Sequence, residues 1–303
     1  MEVLRTPDSA FNNIPEFEYP VAYTTVTTDD GTAMRIAHVD AGSASAANTV
    51  LCMHGEPTWS FLYRKMIPVL TSAGHRVVAP DLVGFGRSDK PAHTSDYTYE
   101  RHVDWMSQWL VANDLRNLTL VCQDWGSLIG LRLVTAFPDR FDRVVLGNGG
   151  LPTGDPEPNA AFMAWRDFSQ NTPIFETSKI VQGGCASQPL APEVLAAYDA
   201  PYPDESYKAG ARIFPTLVPA SLDYPSSKEN LAAWEVLKQW TKPFHCVFSD
   251  SDPITKNGEW AFRKQIPGCE TSAHTTIVGA GHFLQEDRGP ELAAFVNSVI
   301  GTH

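Results

Sequence analysis

The run Val121-Cys122-Gln123-Asp124-Trp125-Gly126-Ser127 concentrates more chemistry than any other stretch of this chain. Apolar residues lead into it, small residues stand two places before and two after Asp124, and a helix-forming segment follows. That spacing predicts a sharp strand-to-helix turn, where small neighbours let the backbone fold tightly. Such turns usually present a serine; here the apex is a carboxylate. A helix N-terminus beside it favours the charged form, so Asp124 needs no base to act as a nucleophile at neutral pH. The bland alternative is an aspartate that simply caps the helix.

Three other segments supply matching parts. His282, in Gly279-Ala280-Gly281-His282-Phe283, follows the apolar run His274–Val278 and fits the chain order nucleophile, acid, histidine. The acid falls in Ser249-Asp250-Ser251-Asp252-Pro253-Ile254, after the run Phe244–Phe248. Asp252 is preferred because Pro-Ile turns the chain away behind it; Asp250 stays an alternative. The loop Met53-His54-Gly55-Glu56-Pro57 follows Thr49–Met53 and sits where a backbone N–H completes an oxyanion hole. The candidate donors are the amides of Glu56 and Trp125, although His-Gly alone also suits an ordinary strand-to-helix loop.

An aspartate nucleophile suits displacement at a saturated carbon, giving an alkyl ester. His282 would then activate water against that ester, with Asp252 orienting its ring. Alkyl halides and epoxides both fit. An epoxide oxygen wants a proton as it leaves, usually from tyrosine, whereas a halide needs only N–H donors. Tryptophan is donor-only: Trp125 adjoins the nucleophile, and Trp165 lies in the mid-chain segment, where packing alone would also account for it. Tyr198, Tyr202, Tyr207 and Tyr224 keep epoxide opening alive.

These residues need a scaffold, and the hydropathy pattern describes one. Val21–Thr27 and Ala33–Val39 alternate around Asp30-Gly31, predicting a hairpin. Thr49–Met53, Arg76–Ala79, Leu118–Cys122 and Arg143–Gly147 read as buried parallel strands. Helical stretches at Phe61–Leu70, Glu100–Asn113 and Ser127–Ala136 separate them. The alternation predicts a mostly parallel, doubly wound α/β sheet. It lapses over residues 151–229, which are Pro-rich and aromatic with helical pieces at Asn159–Ser169 and Pro192–Tyr198. It resumes with the strand Phe244–Ser249, a helix near Glu259–Lys264, the strand His274–Val278 and the helix Pro290–Ile300. The expected organisation is a core of residues 1–150 and 230–303 carrying an inserted helical cap, 151–229.

With 303 residues, 43% hydrophobic, the chain can bury a large core. Its net charge of -12 argues against nucleic acid or an anionic membrane as partner. The N-terminus lacks a signal-peptide pattern, and no apolar run nears the length of a membrane span. The five cysteines form no CxxC pair, and Cys52, Cys122 and Cys246 fall in apolar runs. A reduced, cytoplasmic monomer is the simplest expectation. No metal or organic cofactor is implied by any motif.

The segments HGEPTWSFL (His54–Leu62), DLVGFGRSDKP (Asp81–Pro91), QDWG (Gln123–Gly126) and GHF (Gly281–Phe283) resemble the haloalkane dehalogenases of the α/β-hydrolase fold. The HGEPTWS form is similar to the subfamily acting on short chloro- and bromoalkanes. The likeness spans nearly the whole chain and is strongest before residue 150. It implies a small halogenated aliphatic substrate, water as co-substrate and a halide product. By the same resemblance, Trp125 and Trp165 clamp the halide and Asp252 is the acid. Phe162, Phe214, Pro215 and Val218 match the pocket wall. Leu128 stands where relatives can carry an aromatic residue, which leaves pocket size open.

Overall fold

The computed structural model describes residues 1–301. Eight strands build the main sheet: β1 (Val21–Thr27), β2 (Ala33–Ala41), β3 (Thr49–Met53), β4 (Arg76–Pro80), β5 (Leu118–Asp124), β6 (Phe141–Gly149), β7 (Phe244–Ser249) and β8 (Thr275–Ile277). Their spatial order is β8-β7-β6-β5-β3-β4-β2-β1. Pairing is antiparallel for β1/β2 and β2/β4 and parallel elsewhere. A two-residue ribbon, Val3–Leu4 against Lys90–Pro91, lies outside this sheet.

The helices are α1 (Ile67–Ser72), α2 (Tyr99–Ala112), α3 (Trp125–Ala136), α4 (Ala160–Asn171), α5 (Thr177–Gly184), α6 (Pro192–Asp199), α7 (Ala209–Leu217), α8 (Ser227–Leu237), α9 (Glu259–Gln265) and α10 (Leu284–Ile300). Because successive strand residues face opposite sides, Leu51 and Met53 join one apolar core with Trp105, Ile129 and Leu237, while Val50 and Cys52 join another with Leu70, Leu292 and Val296. Both faces are covered, which is why the central strands read as unbroken apolar runs.

Several boundaries differ from the sequence expectation. The run Phe61–Leu70 is a 3₁₀ turn at Ser60–Tyr63 followed by α1, whose first turn carries Pro68, a residue with no N–H to continue an earlier helix. The C-terminal helix starts at Leu284 and bends at Arg288 (φ -138°, ψ 37°), two residues before Pro290. The strand expected over His274–Val278 is only β8, an edge strand paired on one side. Helices α5, α7 and α8 were not foreseen. Between β6 and α8 the described chain holds helices and no strand. It is tied to the core at Trp59, whose indole N–H donates to the Ala197 carbonyl at 3.1 Å, and at Tyr198, whose hydroxyl donates to Glu286 at 2.6 Å.

Candidate active site

Asp124 closes β5 and precedes α3 with φ 50° and ψ -132°. Non-glycine residues rarely hold such a conformation, at a cost of roughly 1–3 kcal/mol. Close packing imposes it. A Cβ on Gly126 would lie 2.0 Å from the Met53 carbonyl oxygen, and one on Gly55 would lie 2.2 Å from Asp124 Oδ1. The carboxylate makes no cap bond to its own helix. Instead Oδ1 accepts from the Glu56 amide at 2.7 Å, and Oδ2 lies 3.5 Å from His282 Nε2. The loop that presents Glu56 is braced by His54, whose Nε2 accepts from the Leu82 amide at 2.9 Å while Nδ1 lies 2.9 Å from the Gly55 carbonyl oxygen. Burial pushes the His54 imidazole toward its neutral form, which these two bonds require.

His282 sits between β8 and α10 with Nδ1 2.9 Å from Asp252 Oδ2. Burial works against the imidazolium, but Asp252 and Asp124 outweigh it and raise the pKa to about 10. Burial likewise works against the Asp252 carboxylate; the His282 charge, with bonds from His282, the Thr255 hydroxyl and the Ile254 amide, outweighs it and brings the pKa to about 2. Asp250 points elsewhere: its Oδ1 accepts from the Gly279 amide at 2.9 Å and the Ser251 hydroxyl at 3.0 Å. It braces the histidine loop from outside, and of the two aspartates Asp252 is the one against the ring.

Two cavities meet at Asp124, of about 600 Å³ and about 560 Å³. Asp124, Glu56, Phe162, Trp165 and Ile254 line both; His282 lines the first and Trp125 the second. Trp165 also stacks on Phe168 with centroids 5.8 Å apart, so packing and cavity lining coexist in one side chain. Among the described residues, neither Trp125 nor Trp165 spends its indole N–H on a protein acceptor, whereas Trp59 and Trp234 donate to the carbonyls of Ala197 and Leu151.

The model of the alpha/beta hydrolase fold family matches residues 48–289. A haloalkane dehalogenase of Psychrobacter cryohalolentis is 54% identical over 300 residues, 99% of this chain and 98% of its own. One from Mycolicibacterium paratuberculosis is 48% identical over 97% of this chain and 96% of its own. The chain belongs to the haloalkane dehalogenases. Among solved structures, the tetrameric haloalkane dehalogenase of Paraglaciecola agarilytica superposes on this dehalogenase with TM-score 0.92 and 36% identity, covering 100% of this chain and 99% of its own. The enzyme therefore catalyses hydrolytic dehalogenation on the α/β-hydrolase fold expected from its sequence.

Not every expected site residue of the dehalogenase reaches the cavities. Phe162, Leu128, Pro215 and Val218 line them, but Phe214 does not. It is fully buried behind the site, with its ring 4.5 Å from both Trp125 and His102. A phenylalanine on the inner side of α7 gains more from that aromatic cluster than from a pocket wall. None of Tyr198, Tyr202, Tyr207 and Tyr224 lines either cavity, and Tyr198 and Tyr224 donate to Glu286 and to the Thr216 carbonyl.

Three side chains escaped the sequence reading. Asn148, at the end of β6 with φ 24°, donates through Nδ2 to Ser249 Oγ and the carbonyls of Gly281 and His282, at 2.8, 2.8 and 3.0 Å. A polar residue just past a buried apolar strand was the available signal. The Glu56 carboxyl lines both cavities, and burial with the Asp124 charge pushes its pKa well above the carboxylate range. Gln123 touches His282.

Proposed function

We propose that Asp124 attacks the halogen-bearing carbon and expels halide, and that His282 then activates water against the resulting ester. The observation that carries this reading is the linked geometry of Asp124, His282 and Asp252 at the junction of two cavities. In the first step one Asp124 oxygen forms the C–O bond as the C–halogen bond breaks, with the indoles of Trp125 and Trp165 receiving the anion. Esterification removes the Asp124 charge, one of the two that favour imidazolium at His282, and so releases the ring to act as a base. In the second step water loses a proton to Nε2, its oxygen adds to the ester carbonyl, and the oxyanion meets the amides of Glu56 and Trp125. Asp252 stabilises the imidazolium, and the alcohol departs with a proton.

Residues 151–229 are read as the cap, ending in the first turn of α8. Short chloro- and bromoalkanes are the proposed substrates, and the placement of the tyrosines weighs against epoxide opening. A cytoplasmic monomer remains our reading, supported for location by five buried cysteines that stay thiols. A tetramer by light scattering, like that of the Paraglaciecola relative, would replace the monomer. The decisive test of mechanism is His282→Phe. Incubated with 1,2-dibromoethane, it should release one halide per chain and gain the mass of the bromoethyl group. An unmodified chain that still binds substrate refutes the division of roles.

A further inference from the structure

Gln123 precedes the nucleophile and is buried. Its amide nitrogen lies 2.9 Å from His282 Nε2 and donates to the His282 backbone carbonyl at 3.3 Å. We propose that Gln123 is a positioning residue for ester hydrolysis: its amide N–H, fixed against His282 Nε2, favours the neutral imidazole protonated at Nδ1. The proposal rests on His282 being the base of the second step.

The orientation follows from what surrounds the amide. Reversing it would set Oε1 against the His282 carbonyl oxygen, two acceptors face to face. That carbonyl cannot easily turn away, because Asn148 Nδ2 also holds it at 3.0 Å. The Gln123 oxygen has no protein partner among the described residues, so nothing on its far side dictates the opposite arrangement. With nitrogen facing Nε2, the bond forms only if Nε2 offers its lone pair. The ring proton then sits on Nδ1 and goes to Asp252, the tautomer that a general base needs.

The titratable groups facing the imidazole are the carboxylates of Asp252 and Asp124 and the Glu56 carboxyl, which burial and the Asp124 charge hold toward its neutral form. At α5, Lys179 pairs at 2.6 Å with Glu176, the residue before the helix. On α10, Asp287 is occupied by the amides of Gly281, Ala186 and Ser187. The two aspartates favour imidazolium, and Gln123 opposes them. While Asp124 is charged the carboxylates prevail: Nε2 keeps its proton, faces Asp124 Oδ2 at 3.5 Å, and the Gln123 amide only abuts it without a hydrogen bond. Once it is an ester, one of them is gone, the ring gives its proton to solvent, and the Gln123 bond weighs most. The hydrolytic water then takes over the lone pair that Gln123 has kept open.

The test separates this contact from catalysis. In Asp124→Gly, glycine accepts the positive φ and removes the same charge that esterification removes. The ¹⁵N resonances of His282 are titrated in that background and again with Gln123→Met added. The neutral ring should carry its proton on Nδ1, and the midpoint should rise by roughly half to one pH unit when the donor is lost, the size of one neutral hydrogen bond. Gln123→Glu, which preserves size should the methionine variant fail to fold, should raise it further. An unchanged or lowered midpoint overturns the proposal. In otherwise wild-type enzyme, single-turnover hydrolysis of the ester from 1,2-dibromoethane should show its rising pH limb displaced upward in Gln123→Met. A limb that stays in place, whatever the plateau, reduces Gln123 to packing and refutes it. If the midpoint shifts but His282→Phe traps no ester, the role of His282 falls while the contact stands.

Discussion

Replacing Asp252 by asparagine keeps the side-chain volume and an oxygen for the His282 Nδ1–H, and removes only the charge. Its effect can be worked from the site. The Asp252 carboxyl is displaced from 3.8 to about 2 even though burial opposes the shift. At about 1.36 kcal/mol per unit this is on the order of 2 kcal/mol net of the burial cost, with the imidazolium the leading favourable partner beside the Thr255 and Ile254 bonds. With the Asp252 side chain only 1% exposed, solvent screens little of it. On the proposed mechanism His282 gains its proton from water in the second step and keeps its charge state in the first. Ester hydrolysis should therefore slow by about 10- to 100-fold while halide displacement keeps its rate within a few fold. Rapid-quench halide measurement with 1,2-dibromoethane should show a burst of one halide per chain, then slow release, and intact mass should show the bromoethyl ester accumulating. If displacement slows as much as hydrolysis, or no ester accumulates, the electrostatic role assigned to Asp252 is wrong.

Trp165→Phe removes an N–H without removing the ring; kcat/KM for a chloroalkane should fall by about 10- to 100-fold, the worth of a bond to a charged acceptor, and less for the matching bromoalkane. Equal losses on both would argue against halide contact. Gly126→Ala places a methyl group 2.0 Å from the Met53 carbonyl oxygen, so β3 and the elbow must separate. A loss of about 1–3 kcal/mol or more is expected in thermal unfolding, and a wild-type melting temperature would contradict this view of the turn. Glu286→Gln breaks a buried pair in which Arg64 donates to the carboxylate at 2.6 and 2.7 Å. Burial opposes that carboxylate, but Arg64, Lys65 and Tyr198 bring its pKa from 4.5 to about 2. A depressed folded-state pKa gives stability that is complete above about 4.5 and lost as the pH falls toward 2. The variant should thus be roughly 3 kcal/mol less stable in urea near neutrality, with the gap narrowing at about pH 3; a gap independent of pH would count against the assignment.

The sheet was readable because burial on both faces leaves an apolar run for every central strand, and Thr49–Met53 matches β3 residue for residue. The turns that carry Asp124 and His282 were readable because a tight turn demands small neighbours on the local chain, and the structure brings the two side chains within 3.5 Å. Asp252 is preferred over Asp250 from the Pro-Ile turn behind it, and it is Asp252 that lies 2.9 Å from His282 Nδ1 while Asp250 accepts from the Gly279 amide. Phe214, expected at the pocket wall, packs against Trp125, and an aromatic residue reads the same in either place. Asn148, Glu56 and Gln123 are brought to the site by three different strands. Their value lies in contacts far along the chain, and of the three only Asn148, a polar residue at the end of a buried apolar run, leaves a local sign. Helix α8 escaped notice because its buried face is partly polar: Ser227 and Asn230 are buried, and Asn230 donates to the Pro152 carbonyl at 2.7 Å.

The loop bearing His282 is fastened to the end of α5. The His282 amide donates to the Gly184 carbonyl at 2.7 Å, and Asp287 gathers the amides of Gly281, Ala186 and Ser187. A Cβ on Gly281 would meet the Gly184 carbonyl oxygen at 2.3 Å, so the two backbones touch with no side chain between them to act as a cushion. Any outward swing of α5 must drag this loop along or tear it free. Gly184 and His282 both line the first cavity, so a shift of α5 that changes that cavity's width would carry the imidazole with it.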